Sequence, residues 1–483
     1  MPTSSLTALH RASNLQIMNI KSHPSSDYDR TYLKSESPAI PSPVLFDSLS
    51  TDTFPNSTSL PTISECAVQL ELLQVFNALR LRVLSCNDLD ETFGIKPDKR
   101  TVYRRRWSSV QRRYVIEPHH LRDLGFAKRR LEKWPHYLGL AVTRFKVWVT
   151  IAEKSVLESD GGILTALPPL DVLMVWHAFL LNPRDFDTYC EKHQLDLLRN
   201  LPFPWRLIHE SIDPHDWTYQ LPEENVAKLQ AANLEPDLLR TLIQTAKSNT
   251  QANLLLSRFS CTKGGIIETF KIIRQYNKNK PPLPRPQSFL ENIHSSVIQS
   301  QTQENKSLID QIQRQVLFVE KMDAHLWIRS PAVRGTLRRA IERYEKFLQL
   351  LRLYPTQSLV PTLDVDLVWH THQCSAGRYR DAMLERVGRL VNHDDRVTQT
   401  VVKEGLQYTG EVFSMRFGQR YQVCLCWDCE AIVNAVEGMQ EEEGEEGDVH
   451  EITKKVAEEL VFYREVEVAR RKGKELPVRR LAF

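Results

Sequence analysis

Two groups of residues have the types and spacing for metal chemistry. In the first, Asp366 and His370 are four residues apart, with His372 just beyond. Residues four apart share a helix face. Carboxylate oxygens and imidazole nitrogens are donors for zinc, iron and related ions. His370 and His372 fall on opposite sides of a continuous helix, so both reach one ion only if the helix ends there. In the second group, Cys424, Cys426 and Cys429 form C-x-C-x-x-C, three thiols within six residues. Three thiolates and one more ligand complete a tetrahedral zinc site. The usual second C-x-x-C half is absent, so Cys374, His370 or His372 would supply the fourth ligand. The expected metal set is therefore Asp366, His370, His372, Cys424, Cys426 and Cys429, with zinc the ion. His393-Asp394-Asp395 also has the short His-x-Asp spacing of a nonhaem iron oxygenase. Its surroundings, however, read as helical rather than as the alternating strands of such a barrel.

The first group lies in a pattern that occurs twice. One copy runs Pro168-Pro169-Leu170-Asp171-Val172-Leu173-Met174-Val175-Trp176-His177, the other Pro361-Thr362-Leu363-Asp364-Val365-Asp366-Leu367-Val368-Trp369-His370. Leu, Asp, Val, Trp and His recur at the same offsets. Pro169 suits a first helical turn, where a missing N–H costs nothing. Asp171 and Asp364 then fall in that turn, and capping alone accounts for them. Trp176 and Trp369 are expected in the core, with the indole N–H bonded to a partner. His177 and His370 read as core histidines that two halves could face across a pseudo-two-fold axis. The first copy has Leu173 and Phe179 where the second has Asp366 and His372. Any chemistry thus belongs to the second copy.

These segments need helices to hold them. Val68, Leu72, Val75, Phe76 and Leu79 recur at helical spacing, with Ser64 as cap and an end near Ser85. A helix is expected over 131–151. A packed, proline-broken loop follows at 201–222, and two short helices fall within 234–275. In the second half, Ile309, Ile312, Val316 and Val319 mark one long helix. Leu337, Ile341, Tyr344, Phe347 and Leu348 mark another. Arg343-Tyr344 precedes the second Trp-His segment much as Arg144-Phe145 precedes the first. A charged helix is expected from about His450 to Lys472. The expected fold is mainly α: two related helical halves with long ordered loops. The divisions are a disordered Ser/Thr/Pro-rich tail at 1–61, a first half at 62–275 and a Pro-rich linker at 276–288. A second half with the cysteine cluster follows at 289–436, then an acidic linker and charged helix at 437–483.

Composition narrows the functional classes. The 483 residues carry 63 basic and 60 acidic side chains, a formal net charge of +3. That balance argues against a basic field over the whole chain but permits a local patch. Residues 96–113 are such a patch, with Lys96, Lys99, Arg100, Arg104, Arg105, Arg106, Arg112 and Arg113 around Tyr103 and Trp107. It reads as a solvated basic connector or nuclear-import patch, or as a surface for RNA phosphates and bases. No apolar run reaches the roughly 18 residues of a membrane span, and the start of the sequence holds no secretory h-region. Eight cysteines, mostly single, read as reduced thiols of a cytoplasmic or nuclear protein. The basic, acid-free first 26 residues faintly resemble a mitochondrial presequence. No G-x-S-x-G, Walker A or dinucleotide fingerprint is present.

The paired segments resemble the glycine-rich domain-containing protein-like family of fungi and plants. The residues that carry the resemblance are Pro169 to Phe186 in the first copy and Leu363 to Gln373 in the second. The Cys424–Cys429 cluster looks like the fungal members. The resemblance implies a largely helical domain. Plant members are linked to stress and developmental responses and sometimes carry an RNA-binding domain. This chain departs from them, since 17 glycines make no glycine-rich tail and no RNP-type aromatic signature is present. The expected role is noncatalytic interaction or scaffolding with a protein partner. The alternatives are a metal-dependent enzyme built on the second Trp-His segment, and RNA binding through Arg100–Arg113.

Overall fold

The computed structural model describes residues 40–50, 59–98, 100–121, 123–157, 164, 166–248, 302–393, 399–441 and 449–477. The tail before residue 40, the Pro-rich linker at 276–288, the acidic run at 442–448 and the pair Asp394-Asp395 lie outside the described residues.

Helix α1 (Ile63–Ser85) organises the rest. Its sequence is apolar on every side, and such a helix must be covered all round. Leu72, Val75 and Val83 are fully buried on it, and so are Gln69 and Glu71. The expected end at Ser85 is found, but the cap is Thr62 rather than Ser64. Thr62 Oγ1 accepts from the Glu65 amide, and Glu65 Oε2 accepts from the Thr62 amide in return. That reciprocal pair satisfies two orphan donors of the first turn. Ser64 lies inside the helix and donates to the Leu45 carbonyl at 2.7 Å.

Around α1 pack α2 (Lys133–Leu157), α3 (Leu170–Leu180) and α4 (Pro183–His193). From the second half come α5 (Gln303–His325), α6 (Val333–Leu353), α7 (Leu363–Cys374) and α8 (Ala376–Arg386). The described chain ends with α9 (Gln399–Phe417), α10 (Trp427–Glu441) and α11 (Val449–Arg471). The two Trp-His segments are α3 and α7. Helix α1 touches α2, α5, α6 and α7, so it is enclosed from both sides. One continuous core runs from Leu45 to Leu460. Within it Trp148 and Trp176 pack at 5.0 Å, and Trp176 meets Phe203 at the same separation. Each fully buried large apolar side chain there contributes about 1.5–3 kcal/mol.

Ion pairs close the seam between the halves. Glu65 on α1 pairs with Arg378 on α8 at 2.8 Å, both largely buried, and Lys146 on α2 pairs with Glu304 on α5 at 2.7 Å. The stretch 201–222 is ordered, as its tryptophans suggested. It holds a short helix, Trp205–Glu210, and a two-residue ladder pairing Ile212 with Tyr219. Arg329 stacks on Trp217 at 4.2 Å and donates to the Pro214 carbonyl.

The basic stretch is not a connector. Arg100–Ser108 and Arg113–Leu121 form an antiparallel hairpin, β1 and β2, with Trp107 opposite Tyr114 and Arg105 opposite Ile116. Strand alternation puts Tyr103, Arg105, Trp107, Tyr114 and Ile116 on one face, and Arg104, Arg106 and Arg113 on the other. Both faces are solvent-exposed: Tyr103 is 70% exposed, Trp107 53% and Ile116 70%. The Arg105 guanidinium lies over the Tyr114 ring at 4.4 Å.

Candidate metal centre

The shared aspartates do more than cap. No side chain caps α3 or α7, and each aspartate instead takes an arginine, fully buried at Arg144 and part-buried at Arg343. Arg144 Nε on α2 lies 2.7 Å from Asp171 Oδ2 on α3, and Arg343 Nε on α6 lies 2.7 Å from Asp364 Oδ2 on α7. Each arginine also reaches a third segment, donating to the Glu235 and Tyr421 carbonyls respectively. The expectation of capping alone therefore gives way to a helix-to-helix clamp. Burial raises the Asp171 pKa, and Arg144 opposes that shift.

The histidines of the two segments then differ. His177 on α3 meets the side-chain amide of Gln69, with Nε2 2.8 Å from the amide nitrogen and 3.2 Å from its oxygen. Burial, with a smaller effect of His370, pushes its pKa down to about 3. It is a neutral core residue.

His370 on α7 has other company. Its Nε2 lies 3.4 Å from Asp366 Oδ1, as the four-residue spacing requires. A third group joins them. His393 Nε2 lies 3.1 Å from Asp366 Oδ1 and 3.4 Å from His370 Nε2. His393 reaches this point because α8 ends at a left-handed Gly388, φ +82, which turns the chain back. The returning segment is then held from α7. Trp369 Nε1 donates to the Tyr379 hydroxyl at 2.8 Å, which donates to the Val391 carbonyl at 2.7 Å. Trp369 also stands edge-on to the His393 ring at 5.1 Å. From the other side Phe318 on α5 packs on His370 at 4.4 Å. Trp176 Nε1 makes no such bond among the described residues.

The three side chains grade from inside to outside. His370 is 1% exposed, His393 13% and Asp366 19%. Burial pushes the Asp366 carboxyl up, but His370 and His393 outweigh it and hold the group below its ordinary value. Metal–ligand bonds of about 2.0–2.2 Å put neighbouring donors roughly 3.0–3.5 Å apart in octahedral or tetrahedral geometry. Asp366 Oδ1, His370 Nε2 and His393 Nε2 are spaced for one face of such a site, leaving positions open on the more exposed side.

His372 is not part of this group. Its Nδ1 pairs with the Tyr344 hydroxyl at 3.0 Å, and its ring meets the Tyr379 ring at 5.2 Å. Burial, then the positive Arg378 and Arg386, drives its pKa well below the usual value. The helix continues through Cys374, so the two histidines stay on opposite sides.

The cysteines make a second, separate cluster. The sulfurs of Cys424, Cys426 and Cys429 all lie within 4.8 Å of one another. Cys374 is buried in the core and stands outside that group, as do His370 and His372. The structure thus does not bring the six sequence-chosen residues into one pocket.

Residues 274–382, which hold the whole of α7 and end just short of the His393 turn, match the family described as Glycine-rich domain-containing protein-like. Over those residues the chain resembles that family. It is similar to Glycine-rich domain-containing protein 1 of Arabidopsis thaliana, 38% identical over 295 residues. That match covers 59% of this chain and 29% of the relative. Glycine-rich domain-containing protein 2 of the same plant is 34% identical over 93 residues, 18% of this chain and 12% of that protein. The chain thus spans less than a third of the length of the relatives it matches. No solved structure matches. No helix among the described residues is long and apolar enough to cross a membrane.

Proposed function

We propose that this chain binds one borderline divalent ion, such as zinc or ferrous iron, through Asp366 Oδ1, His370 Nε2 and His393 Nε2, and acts as a metal-dependent protein. This takes the metal-dependent alternative over the noncatalytic scaffold role. The observation that supports it is the triangle of contacts. Two imidazole N–H groups can both donate to Asp366, but then they oppose each other across the 3.4 Å His370–His393 edge. A hydrogen-bonded cluster therefore leaves one edge unfavourable, whereas an ion takes all three lone pairs at once. Two nitrogens and one carboxylate oxygen suit iron, zinc or manganese better than calcium. An ion held there polarises bound water or a ligand oxygen at its open positions. Asp366 and His393 are part-buried, 19% and 13% exposed, and theirs is the side from which a ligand would reach the ion.

Metal content of the full chain, purified without chelator, tests this reading. One equivalent should disappear in Asp366→Asn and in His393→Ala while the helical circular dichroism is kept. Metal content unchanged by either substitution would overturn the proposal.

A second reading, single-stranded nucleic acid on the hairpin, is favoured by one observation. Tyr103, Trp107 and Tyr114 expose stacking surfaces on one face, with arginines on the reverse for phosphates. Salt-dependent binding of a labelled oligonucleotide that survives Trp107→Ala with Tyr114→Ala would count against it.

A further inference from the structure

The loop between α9 and α10 has been given no role, yet it is built with care. Two indoles clamp it. Trp327 Nε1 donates to the Leu425 carbonyl at 2.8 Å, and Trp427 Nε1 donates to the His325 carbonyl at 2.8 Å. The C-terminal end of α5 is thereby tied to the residues on either side of Cys426. Arg464 on α11 holds Asp428 at 2.6 Å from the far side. The three thiols are all free of disulfides. Cys424 and Cys426 sulfurs lie 3.3 Å apart, and Cys429 follows in the first turn of α10.

We propose that Cys424, Cys426 and Cys429 bind a structural zinc ion as thiolates, with the fourth position turned toward solvent. Zinc–sulfur bonds of about 2.3 Å put tetrahedral sulfurs roughly 3.8 Å apart; Cys424 and Cys426 sulfurs, at 3.3 Å, need to open slightly, and all three already lie within 4.8 Å of one another. Three soft donors with no nitrogen or oxygen among them select zinc over the iron or manganese that suits Asp366, His370 and His393. A divalent ion takes the place of the thiol protons and holds the three sulfurs together. Binding releases up to three protons and replaces thiol–thiol contacts by metal–sulfur bonds, with no change of oxidation state. The ion pins α10 against the end of α5. It shares no ligand with Asp366, His370 and His393, so the two sites stand or fall separately.

The test uses the full chain carrying Asp366→Asn and His393→Ala, which removes the other site. This protein should keep one zinc, and Cys426→Ser added to it should lose that zinc. Cobalt substitution should give sulfur-to-cobalt charge-transfer absorption in the near ultraviolet and intense tetrahedral visible bands. Removal of zinc should shift tryptophan emission to the red as Trp327 and Trp427 loosen. Because Cys426→Ser could unfold the loop, the exposed Cys424→Ser serves as a second variant, expected to bind zinc at least tenfold more weakly with its helical signal unchanged. Cobalt spectra without thiolate charge transfer would overturn the proposal. So would zinc binding indifferent to both substitutions.

Discussion

Trp369 Nε1 hands a hydrogen bond to the Tyr379 hydroxyl at 2.8 Å, and through it fixes the segment that carries His393. In the dipeptide Trp369-His370 one residue points at the candidate centre and the other positions its partner ligand. Outer groups of this kind typically change metal affinity about 10–100-fold when removed. Tyr379→Phe should therefore weaken zinc binding by roughly that factor. Isothermal titration gives the affinity, and an unchanged value would detach Tyr379 from the site.

His372 should behave in the opposite way. His372→Gln removes the contact with Tyr344 but leaves Asp366, His370 and His393 in place. Metal stoichiometry should stay the same while unfolding stability falls by about 1–3 kcal/mol, the usual cost of a buried polar group losing its partner. Loss of metal at full stability would put His372 back among the ligands.

The Arg144–Asp171 pair is 1% and 2% exposed. Arg144→Met leaves a buried carboxylate without its counter-charge, at a cost of about 3–5 kcal/mol. Arg343 is 13% exposed, so Arg343→Met should cost less. Adding Asp171→Leu to Arg144→Met should restore part of the loss. Denaturant midpoints at neutral pH give the order, and equal losses for both arginines would contradict it.

His177 makes stability depend on pH. Its folded pKa is lowered to about 3 from an ordinary 6.5. Below pH 6.5 the unfolded chain takes up a proton that the folded chain refuses, so stability is lost as pH falls. By pH 5 the loss amounts to about 2 kcal/mol, at 1.36 kcal/mol per pH unit. His177→Gln keeps a partner for Gln69 and should flatten this part of the profile. The same slope in the variant would assign it to other groups.

The hairpin should be thermodynamically silent. Trp107 and Tyr114 pack on each other at 5.1 Å but on no core. Exposed substitutions of this kind fall within about 0.5 kcal/mol. Trp107→Ala should leave the melting temperature unchanged, and a drop of several degrees would show that the hairpin packs on the body of the protein.

Much of the helical order was legible because apolar spacing is a local signal. Helix α1 ends at Ser85 as its periodicity indicates, and α5 and α6 enclose the stretches marked by Ile309–Val319 and Leu337–Leu348. The extra acid of the second copy, Asp366, stands beside His370 and His393 in the structure. The role of His393 was not legible. It is brought to Asp366 by a turn at Gly388 and a two-step hydrogen-bond relay, which no spacing encodes. His372 drew attention through proximity in sequence, although the helix sends it away. The hairpin was missed because strand reading relies on one buried face, and Tyr103 and Arg104 are both exposed.

The enclosure of α1 also bears on how the chain matures. Glu65 meets Arg378 across 313 positions, and α1 is covered by α5, α6 and α7, all made long after it. One side of an apolar helix made early must therefore wait until most of the chain has left the ribosome. Contacts of such long range slow folding, and the exposed intermediate is open to aggregation. A fragment that stops before α5 would keep the first Trp-His segment and lack the helices that close the other side of α1.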